Sequence, residues 1–256
     1  MNEVNSMKAK SFKLNSHGNT LRGIIFKKEN NIPSKTVIIS HGFASNMLIT
    51  LPYAKPFIDA GYVVIMFDFC RSGSGISGGK SVEMSVLTQK DNLLDVLEYA
   101  RTLDFVDNEH ITLCGCSQGG FVSALAGAEK EDEIERMILY YPALCIPDDS
   151  RRGCVIGTKI DPDNVPDHFF GVFVKLGKKY VETAKSLDPY EQICSFSKPV
   201  FIVHGIEDKL VNIDYSRKAE KLYKHCKLTE IHGDHGFIAK GLSASKKVTA
   251  AYLKSI

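Results

Sequence analysis

The sequence predicts an α/β fold, with a mostly parallel central sheet flanked by helices. Short runs rich in valine and isoleucine alternate along the 256 residues with longer segments of helical periodicity. Several of these runs are apolar throughout, which is typical of strands covered on both faces. A glycine-rich motif around Ser117 joins a predicted strand directly to a predicted helix. This order of elements requires crossover connections and therefore parallel pairing.

Composition excludes several classes of protein. A chain with 44% hydrophobic and 24% charged residues can bury a core without the help of disulfides. The formal net charge of +2 is too balanced for a nucleic-acid footprint, so no nucleic-acid partner is expected. No window approaches the roughly 18 consecutive apolar residues of a membrane span, so no membrane association is expected either.

The termini and the cysteines suggest a reducing compartment. The chain begins Met1-Asn2-Glu3-Val4-Asn5, without the apolar core of a signal peptide. The seven cysteines are odd in number and include no Cys-x-x-Cys pair. We therefore expect a cytoplasmic protein with reduced thiols, no metal site and no cofactor.

The predicted strands follow one another along the whole chain. They are an edge strand Phe12–Asn15, then Leu21–Phe26, Thr36–Ser40, Tyr62–Phe67, Ile111–Cys116, Met137–Tyr141, Val200–His204 and Lys227–His232. Helices are predicted over Leu51–Ala60, Val82–Thr102, Gln118–Ala128, Asp214–Cys226 and Ser243–Leu253.

Residues 143–189 interrupt this rhythm. Five of the nine prolines fall between Pro142 and Pro189, among charged pairs. A segment of this length is too long for an ordinary loop and predicts an inserted lid with its own structure. Phe169–Ser186 is the expected lid helix, and residues 1–142 and 190–256 form the expected α/β core.

The strongest chemical signal is the sequence Gly-Cys-Ser-Gln-Gly-Gly at residues 115–120. It follows the predicted strand Ile111–Cys116 and opens a helix of small residues, the context in which a sharp turn exposes a serine hydroxyl above a sheet. An ordinary glycine-rich strand-to-helix turn is the alternative. The context favours Ser117 as a nucleophile.

A serine nucleophile needs a base that an acid holds in place. In hydrolases with this elbow, the acid and then the histidine follow the serine along the chain. Asp208 lies just past the strand Val200–His204, and His235 lies in a loop past the last predicted strand. We predict Asp208 as the acid and His235 as the base, with Glu207 as the alternative acid.

Three neighbouring residues are expected to have other roles. His204 lies within an apolar strand and is expected to be buried, and His232 still belongs to the final strand. Asp234 is adjacent to His235 but is expected to point away from it.

Acyl transfer also requires backbone N–H donors for an oxyanion. One is expected from Gln118, the residue after the nucleophile, and the other from the loop after the strand Thr36–Ser40. That loop begins His-Gly-Phe at residues 41–43, which makes Phe43 the expected second donor. A simple strand-ending turn is the alternative explanation.

Together these residues resemble the α/β-hydrolase superfamily, and more closely the bacterial cinnamoyl and feruloyl esterases. The resemblance covers nearly the whole chain. Its motifs are Ser-His-Gly-Phe at 40–43, Asp-x-x-Arg-x-Gly-x-Gly at 68–75, Cys-Ser-Gln-Gly-Gly at 116–120, His-Gly-x-x-Asp at 204–208 and Asp-His-x-Phe at 234–237. It implies a serine carboxylic-ester hydrolase that forms an acyl-enzyme on small esters, in particular hydroxycinnamate esters.

The insertion is similar to the lid of those esterases. Asp161–Asp167, Asp-Pro-Asp-Asn-Val-Pro-Asp, looks like the family's Asn-Pro-Asp-x-Ile-Pro-Asp stretch. The family's lid supplies an aspartate and a tyrosine that bind the aromatic hydroxyls of the substrate. The resemblance places Asp149 and Tyr180 at those substrate-binding positions, with Asp148 as the alternative aspartate.

Two departures leave the acid half of the substrate open. A glutamine of the family's lid has no counterpart, its place falling near Ile156, and Cys116 stands where many relatives carry histidine. The alternatives are a monoacylglycerol-type lipase, a thioesterase, a peptidase or a non-catalytic hydrolase-like binding protein. The charged lid favours a small ester with a polar end as the partner. The sequence leaves open whether the chain is a monomer or a homodimer.

Overall fold

The computed structural model describes residues 7–29 and 32–256, so the expectation drawn from Met1–Asn5 lies outside the described residues. The strands are β1 (Met7–Ser16), β2 (Asn19–Lys28), β3 (Ser34–Ser40), β4 (Val63–Asp68), β5 (Val106–Cys116), β6 (Arg136–Tyr140), β7 (Cys154–Val155), β8 (Thr158–Lys159), β9 (His168–Gly171), β10 (Val174–Gly177), β11 (Val200–Gly205) and β12 (Cys226–Ile231). The helices are α1 (Leu51–Asp59), α2 (Val86–Arg101), α3 (Gln118–Glu129), α4 (Ile146–Arg151), α5 (Lys178–Lys185), α6 (Pro189–Ile193), α7 (Asp214–Leu222) and α8 (Leu242–Lys254).

One eight-stranded sheet organises the molecule, in the order β1-β2-β4-β3-β5-β6-β11-β12. Strand β2 pairs antiparallel with β1 and with β4, whereas every neighbour from β4 to β12 pairs parallel. This topology confirms the predicted α/β fold with a mostly parallel sheet.

Apolar clusters cover both faces of the sheet. On one face, Phe57 of α1 and Leu253 of α8 pack over Val64 and Phe201 of the sheet. The larger cluster on the other face involves α2 and α3 and extends into the insertion as far as Tyr180. Burial on both faces explains why the central strands are apolar throughout. Within the described ranges, no helix is both long and apolar enough to cross a lipid bilayer.

Helix α2 begins four residues later than predicted. The hydroxyl of Ser85 accepts a hydrogen bond from the Thr88 amide at 3.2 Å, and the Thr88 hydroxyl accepts one from the Ser85 amide at 2.9 Å. This reciprocal pair satisfies two amides at the helix N-terminus and sets the first helical residue at Val86. The prediction of a start at Val82 was wrong, because residues 81–83 form a separate 3₁₀ turn.

Helix α7 ends earlier than predicted. Its last helical residue is Leu222, and Tyr223 has the extended backbone angles φ −64° and ψ 139°. Cys226, the predicted end of the helix, instead pairs with Val200 at the start of β12. The chain therefore leaves the helix early enough to supply the last parallel strand.

The insertion was predicted to contain a helix over Phe169–Ser186, and this was wrong for its first half. Strands β9 and β10 form an antiparallel hairpin, and only α5 is helical. Side chains along the hairpin alternate between exposed and buried, and this period of two belongs to a strand. The remainder of the insertion comprises α4 and the short hairpin β7–β8, and α4 packs against α5.

Candidate active site

Three predicted site residues follow the carboxyl ends of parallel strands. Ser117 comes directly after β5, Asp208 lies three residues after β11, and His235 lies in the loop after β12. The carboxyl ends of parallel strands meet at one edge of a sheet, where ligands of open α/β folds usually bind. The fold therefore gathers residues that are up to 118 positions apart in sequence.

Ser117 lies at a sharp turn between β5 and α3. Its backbone angles, φ 54° and ψ −120°, are rarely adopted by a residue with a side chain. Such a conformation costs on the order of 1–3 kcal/mol and persists only where the surroundings impose it. Gly119 permits the turn, because a Cβ there would collide with the carbonyl oxygens of Ser40 and His41. The strained backbone holds the serine hydroxyl above the sheet edge.

The structure brings Ser117, His235 and Asp208 into one hydrogen-bonded chain. Ser117 Oγ lies 3.0 Å from His235 Nε2, and His235 Nδ1 lies 2.8 Å from Asp208 Oδ2. An ionised carboxylate only accepts hydrogen bonds, so His235 Nδ1 carries the proton. The neutral ring is then left with Nε2 as the acceptor for the serine hydroxyl.

Asp208 is buried and surrounded by donors. Its side chain has 0% exposure, and its Oδ1 accepts hydrogen bonds from the amides of Leu210 and Val211, each at 2.9 Å. Burial alone would raise the pKa of Asp208, but hydrogen bonds from His204 and His235 hold this pKa well below its ordinary value. The carboxylate is therefore ionised at neutral pH.

Glu207, the alternative acid, faces a different set of partners. Its carboxylate accepts from Lys240 Nζ at 2.8 Å, from the Gly233 amide at 2.7 Å, and contacts His232 Nδ1 at 3.2 Å. The bond from Lys240 is the main reason that the pKa of Glu207 falls to about 2. Of the two neighbouring acids, the structure brings only Asp208 to His235.

The predicted oxyanion donors lie on either side of the serine. Gln118 is the first residue of α3, and the first amides of a helix have no partner within that helix. On the opposite side, a Cβ added at Gly42 would lie 3.2 Å from Ser117 Cβ, so the loop containing Phe43 runs against the serine.

His41 orients that loop, a role that the sequence analysis missed. Its Nδ1 lies 2.7 Å from the Gly42 carbonyl oxygen, and its Nε2 accepts a hydrogen bond from the Phe69 amide at 3.1 Å. Burial lowers the pKa of His41, so the ring is neutral and donates from Nδ1. The peptide bond is trans, so the Phe43 N–H points opposite to the Gly42 carbonyl.

Two tyrosines support the His235 loop, and these were also not predicted. The ring of Tyr141 contacts the His235 ring edge-on at 4.8 Å between centroids. Tyr141 donates to the Tyr53 hydroxyl at 2.7 Å, and Tyr53 donates to the Gly236 carbonyl at 2.6 Å. Cys116 lies within hydrogen-bond reach of Tyr141, and burial raises the pKa of this thiol to about 12.

Tyr180 lies over the elbow but is not free to donate to a ligand. Its hydroxyl donates to Gln118 Oε1 at 2.6 Å, and Gln118 Nε2 donates in turn to Gln89 Oε1 at 2.6 Å. Tyr180 is only 1% exposed, and burial raises its pKa well above the ordinary value. Toward a bound molecule, this hydroxyl can therefore only accept a hydrogen bond.

Asp149, rather than Asp148, faces the cavities of the insertion. A cavity of about 440 Å³ lies between α4 and the loop after β11, and Asp149 and Asp208 both contribute to its wall. A second cavity of about 10 Å³, the size of one water, is bounded by Asp149, Ile156 and Tyr180. Asp148 instead contacts Arg151 at 2.9 Å and accepts a hydrogen bond from Tyr215 at 3.0 Å.

Comparison with protein families matches residues 31–161 to Hydrolase_4, described as serine aminopeptidase, S33. An uncharacterized 31.7 kDa protein of Escherichia coli is 33% identical over 93 residues, 36% of this chain and 32% of that protein. The uncharacterized protein YqkD of Bacillus subtilis is 28% identical over 194 residues, 74% of this chain and 59% of that protein. The chain thus spans about a third of the length of the first relative and under two thirds of the second.

Solved structures extend the similarity to nearly the whole chain. Est1E from Butyrivibrio proteoclasticus with ferulic acid bound superimposes with a TM-score of 0.89 at 30% identity. The match covers 95% of this chain and 98% of Est1E. A second structure of Est1E gives a TM-score of 0.86 at 28% identity over 96% of this chain and 98% of that one. The chain therefore belongs to the serine aminopeptidase S33 family, Hydrolase_4, adopts the α/β-hydrolase fold and resembles the feruloyl esterases.

Proposed function

We propose that the protein is a serine carboxylic-ester hydrolase that acts on small esters through an acyl-enzyme, with hydroxycinnamate esters as the substrate class. One observation carries this proposal. The strained Ser117 places its Oγ 3.0 Å from His235 Nε2, while Asp208 holds the other ring nitrogen at 2.8 Å. This geometry suits a serine nucleophile with its general base.

The proposed reaction has two steps, acylation and deacylation, and His235 transfers the proton in both. Ser117 Oγ attacks the ester carbonyl carbon while its proton passes to His235 Nε2, and Asp208 stabilises the imidazolium that forms. The negative oxygen of the tetrahedral intermediate accepts hydrogen bonds from the amides of Phe43 and Gln118. His235 then protonates the leaving alcohol, and the carbonyl re-forms as an acyl-Ser117. Water, deprotonated by His235, attacks this acyl-enzyme and releases the acid.

The insertion, residues 143–189, is proposed as the lid that selects the acyl group. The 440 Å³ cavity lies beside Asp208 and shares Asp149 with the small cavity. Asp149 and Tyr180 both present acceptors there, so they suit a phenolic hydroxyl that donates its proton. Ile156 gives the small cavity an apolar wall that offers no hydrogen bond. The ferulic acid bound to Est1E supports the same class of acyl group.

An aminopeptidase is the second candidate, because the matching family is described by that activity. A peptidase of this kind must bind the ammonium group of its substrate, which calls for an unpaired carboxylate. In the larger cavity, Asp149 already contacts Arg152 at 2.5 Å, and Lys209 adds a further positive charge. These cations oppose an ammonium group, so the ester is the better supported substrate.

A substrate panel tests the proposal. We expect the purified protein to hydrolyse methyl ferulate and methyl caffeate faster than p-nitrophenyl butyrate, a monoacylglycerol or an acyl thioester. An alanine p-nitroanilide tests the peptidase. Labelling by a fluorophosphonate, abolished by Ser117→Ala, separates a serine hydrolase from a hydrolase-like binding protein. Hydrolysis of the anilide alone, or no labelling of the native protein, would refute the proposed activity.

A further inference from the structure

We propose that His204 is a second histidine partner of Asp208, a positioning residue that orients this carboxylate and withdraws part of its charge from His235. The inference rests on the proposed serine-hydrolase function, because it assigns His204 an effect on the proposed general base. His204 contacts neither the proposed nucleophile nor the space for a substrate.

Two histidines approach the same carboxylate oxygen. Asp208 Oδ2 lies 2.8 Å from His235 Nδ1 and 3.2 Å from His204 Nε2. His204 has 0% side-chain exposure, whereas His235 has 21%. The carboxylate therefore lies between an inner histidine at the end of β11 and an outer histidine that reaches the serine.

The hydrogen-bond partners determine which nitrogen of His204 carries the proton. Nε2 faces the Val211 carbonyl oxygen at 3.1 Å as well as Asp208 Oδ2, and both of these oxygens only accept. Nε2 must therefore bear a hydrogen. Nδ1 lies 2.7 Å from the hydroxyl of Ser216, which can donate to it. The ring is thus fixed by partners on both sides, and its single Nε2–H is shared between the Val211 carbonyl at 3.1 Å and Asp208 Oδ2 at 3.2 Å.

The charged groups around this pair come from every neighbouring element. From β12, Glu230 lies in register beside His204 and is bound by Arg217 of α7 at 2.7 and 2.9 Å. The loop after β11 adds Glu207, which binds Lys240, and also Lys209. The cavity wall formed by α4 contributes the Asp149–Arg152 pair. Apart from Lys209, each of these groups has a countercharge of its own, so His204 and His235 are the principal partners of Asp208.

This arrangement has a consequence for the basicity of His235. A donor on Oδ2 lowers the electron density that Asp208 can offer to the His235 imidazolium. Removing the His204 N–H should therefore strengthen the hydrogen bond between Asp208 and the protonated His235 ring. It should also loosen the carboxylate, since Oδ2 would keep one donor while Oδ1 keeps the amides of Leu210 and Val211.

A matched pair of amide substitutions separates the N–H from the shape of the ring. In His204→Gln, the amide nitrogen reaches the place of Nε2, and its oxygen can accept from Ser216. In His204→Asn, the shorter amide reaches the place of Nδ1 and leaves Asp208 without this donor. His204→Met fills the same volume with no donor and replaces the Asn variant if the latter does not fold.

The measurements are kcat and KM for p-nitrophenyl butyrate, the acid limb of kcat/KM, and an NMR pH titration of the His235 ring. For Asn or Met we expect kcat to fall about tenfold with KM within about twofold, because the loosened Asp208 carboxylate no longer holds the His235 ring in line with Ser117. We expect the acid limb and the His235 titration to move upward by about half a pH unit or more. The Gln variant should keep the native titration and most of kcat.

Two results would overturn the assignment. The first is native kcat and an unmoved His235 titration in the Asn and Met variants. The second is an equal loss of kcat in the Gln and Asn variants, with the His235 titration unchanged in both. The second pattern would mean that the ring only fills space. The NMR titration requires no substrate. If the native protein hydrolyses no ester but the His235 titration moves in the Asn variant and not in the Gln variant, the proposed activity is refuted. The His204 assignment then still stands.

Discussion

Tyr53 donates a hydrogen bond to the Gly236 carbonyl at 2.6 Å, across 183 positions of sequence. This bond ties helix α1 to the loop that carries His235. Gly236 and Phe237 both have positive φ, 76° and 53°, so the loop adopts a conformation that needs support. Tyr53 is 4% exposed and receives a hydrogen bond from Tyr141, which itself packs against the His235 ring. The position of the proposed base thus depends on two buried tyrosines.

We expect Tyr53→Phe to lower kcat by about tenfold while KM changes little. The substitution keeps the ring and leaves the Gly236 carbonyl without its donor, so the loop loses its support and His235 its alignment. The rate of fluorophosphonate labelling should fall in parallel, since it reports activation of Ser117. Tyr62→Phe, a buried tyrosine packed on Phe57, is the control and should label at the native rate. Native labelling in Tyr53→Phe would contradict the argument.

Ser117→Ala should reduce ester hydrolysis by about 10⁴-fold or more without unfolding the protein. The remaining rate would come from binding and the proposed oxyanion donors alone. Thermal unfolding of the variant should match or exceed that of the native protein, because alanine removes only the hydroxyl. Turnover near the native rate in a preparation free of native enzyme would disprove the role of Ser117.

Asp208→Asn should cost far more activity than Glu207→Gln. The asparagine amide cannot stabilise the His235 imidazolium and favours the wrong tautomer, at a cost approaching 10⁴-fold in kcat. Glu207 instead binds Lys240 and the Gly233 amide, so its substitution should cost at most a few-fold. Both variants are measured on p-nitrophenyl butyrate at saturating concentration. A larger loss of kcat in Glu207→Gln than in Asp208→Asn would show that Glu207, and not Asp208, is the acid.

The same carboxylate should give a characteristic dependence of stability on pH. The pKa of Asp208 is depressed in the folded state, so its ionised form stabilises the fold above the unfolded value of about 3.9. This contribution is lost as the pH falls toward the depressed value. The difference in free energy of unfolding between the native protein and Asp208→Asn should therefore be constant from about pH 7 to pH 5 and shrink below about pH 4. Urea unfolding at several pH values measures it, and a difference that grows on acidification would contradict the depressed pKa.

Asp149→Asn should weaken binding of hydroxylated cinnamates and spare p-nitrophenyl butyrate. A hydrogen bond to a charged acceptor contributes about 1.5–3 kcal/mol, so KM for methyl caffeate should rise about tenfold or more. Asp148→Asn is the matched control, since Asp148 lines neither cavity and instead contacts Arg151 and Tyr215. Equal effects of the two substitutions would show that Asp149 has no special contact with the acyl group.

Tyr180→Phe is expected to lower activity on hydroxylated cinnamates and on p-nitrophenyl butyrate alike, because the lost hydroxyl also donates a hydrogen bond to Gln118. Without it, Gln118 Oε1 is left buried without this donor, next to the amide proposed to bind the oxyanion. We expect kcat for p-nitrophenyl butyrate to fall a few-fold and the melting temperature to drop. A variant that loses only its activity on hydroxylated esters would assign Tyr180 to the substrate alone.

The sequence by itself determined the features that depend on neighbouring residues. Apolar runs predicted the strands of the sheet. The glycines around Ser117 indicated a strained turn, because only small residues allow β5 and α3 to approach so closely. The positions of Asp208 and His235 after strand ends followed from the same local order. Within the insertion, however, the apolar alternation of residues 168–177 is short, and it was mistaken for the start of helix α5.

Only the tertiary structure decided between residues that are adjacent in sequence. Glu207 and Asp208 are adjacent acidic residues that the sequence alone does not distinguish. The turn after β11 directs Glu207 toward Lys240 and Asp208 toward His204 and His235. The roles of Tyr53 and His41 likewise depend on partners 183 and 28 positions away. Which donor meets which acceptor across such separations is set by the packing of whole elements, because a hydrogen bond tolerates only a few tenths of an ångström and a narrow range of angles.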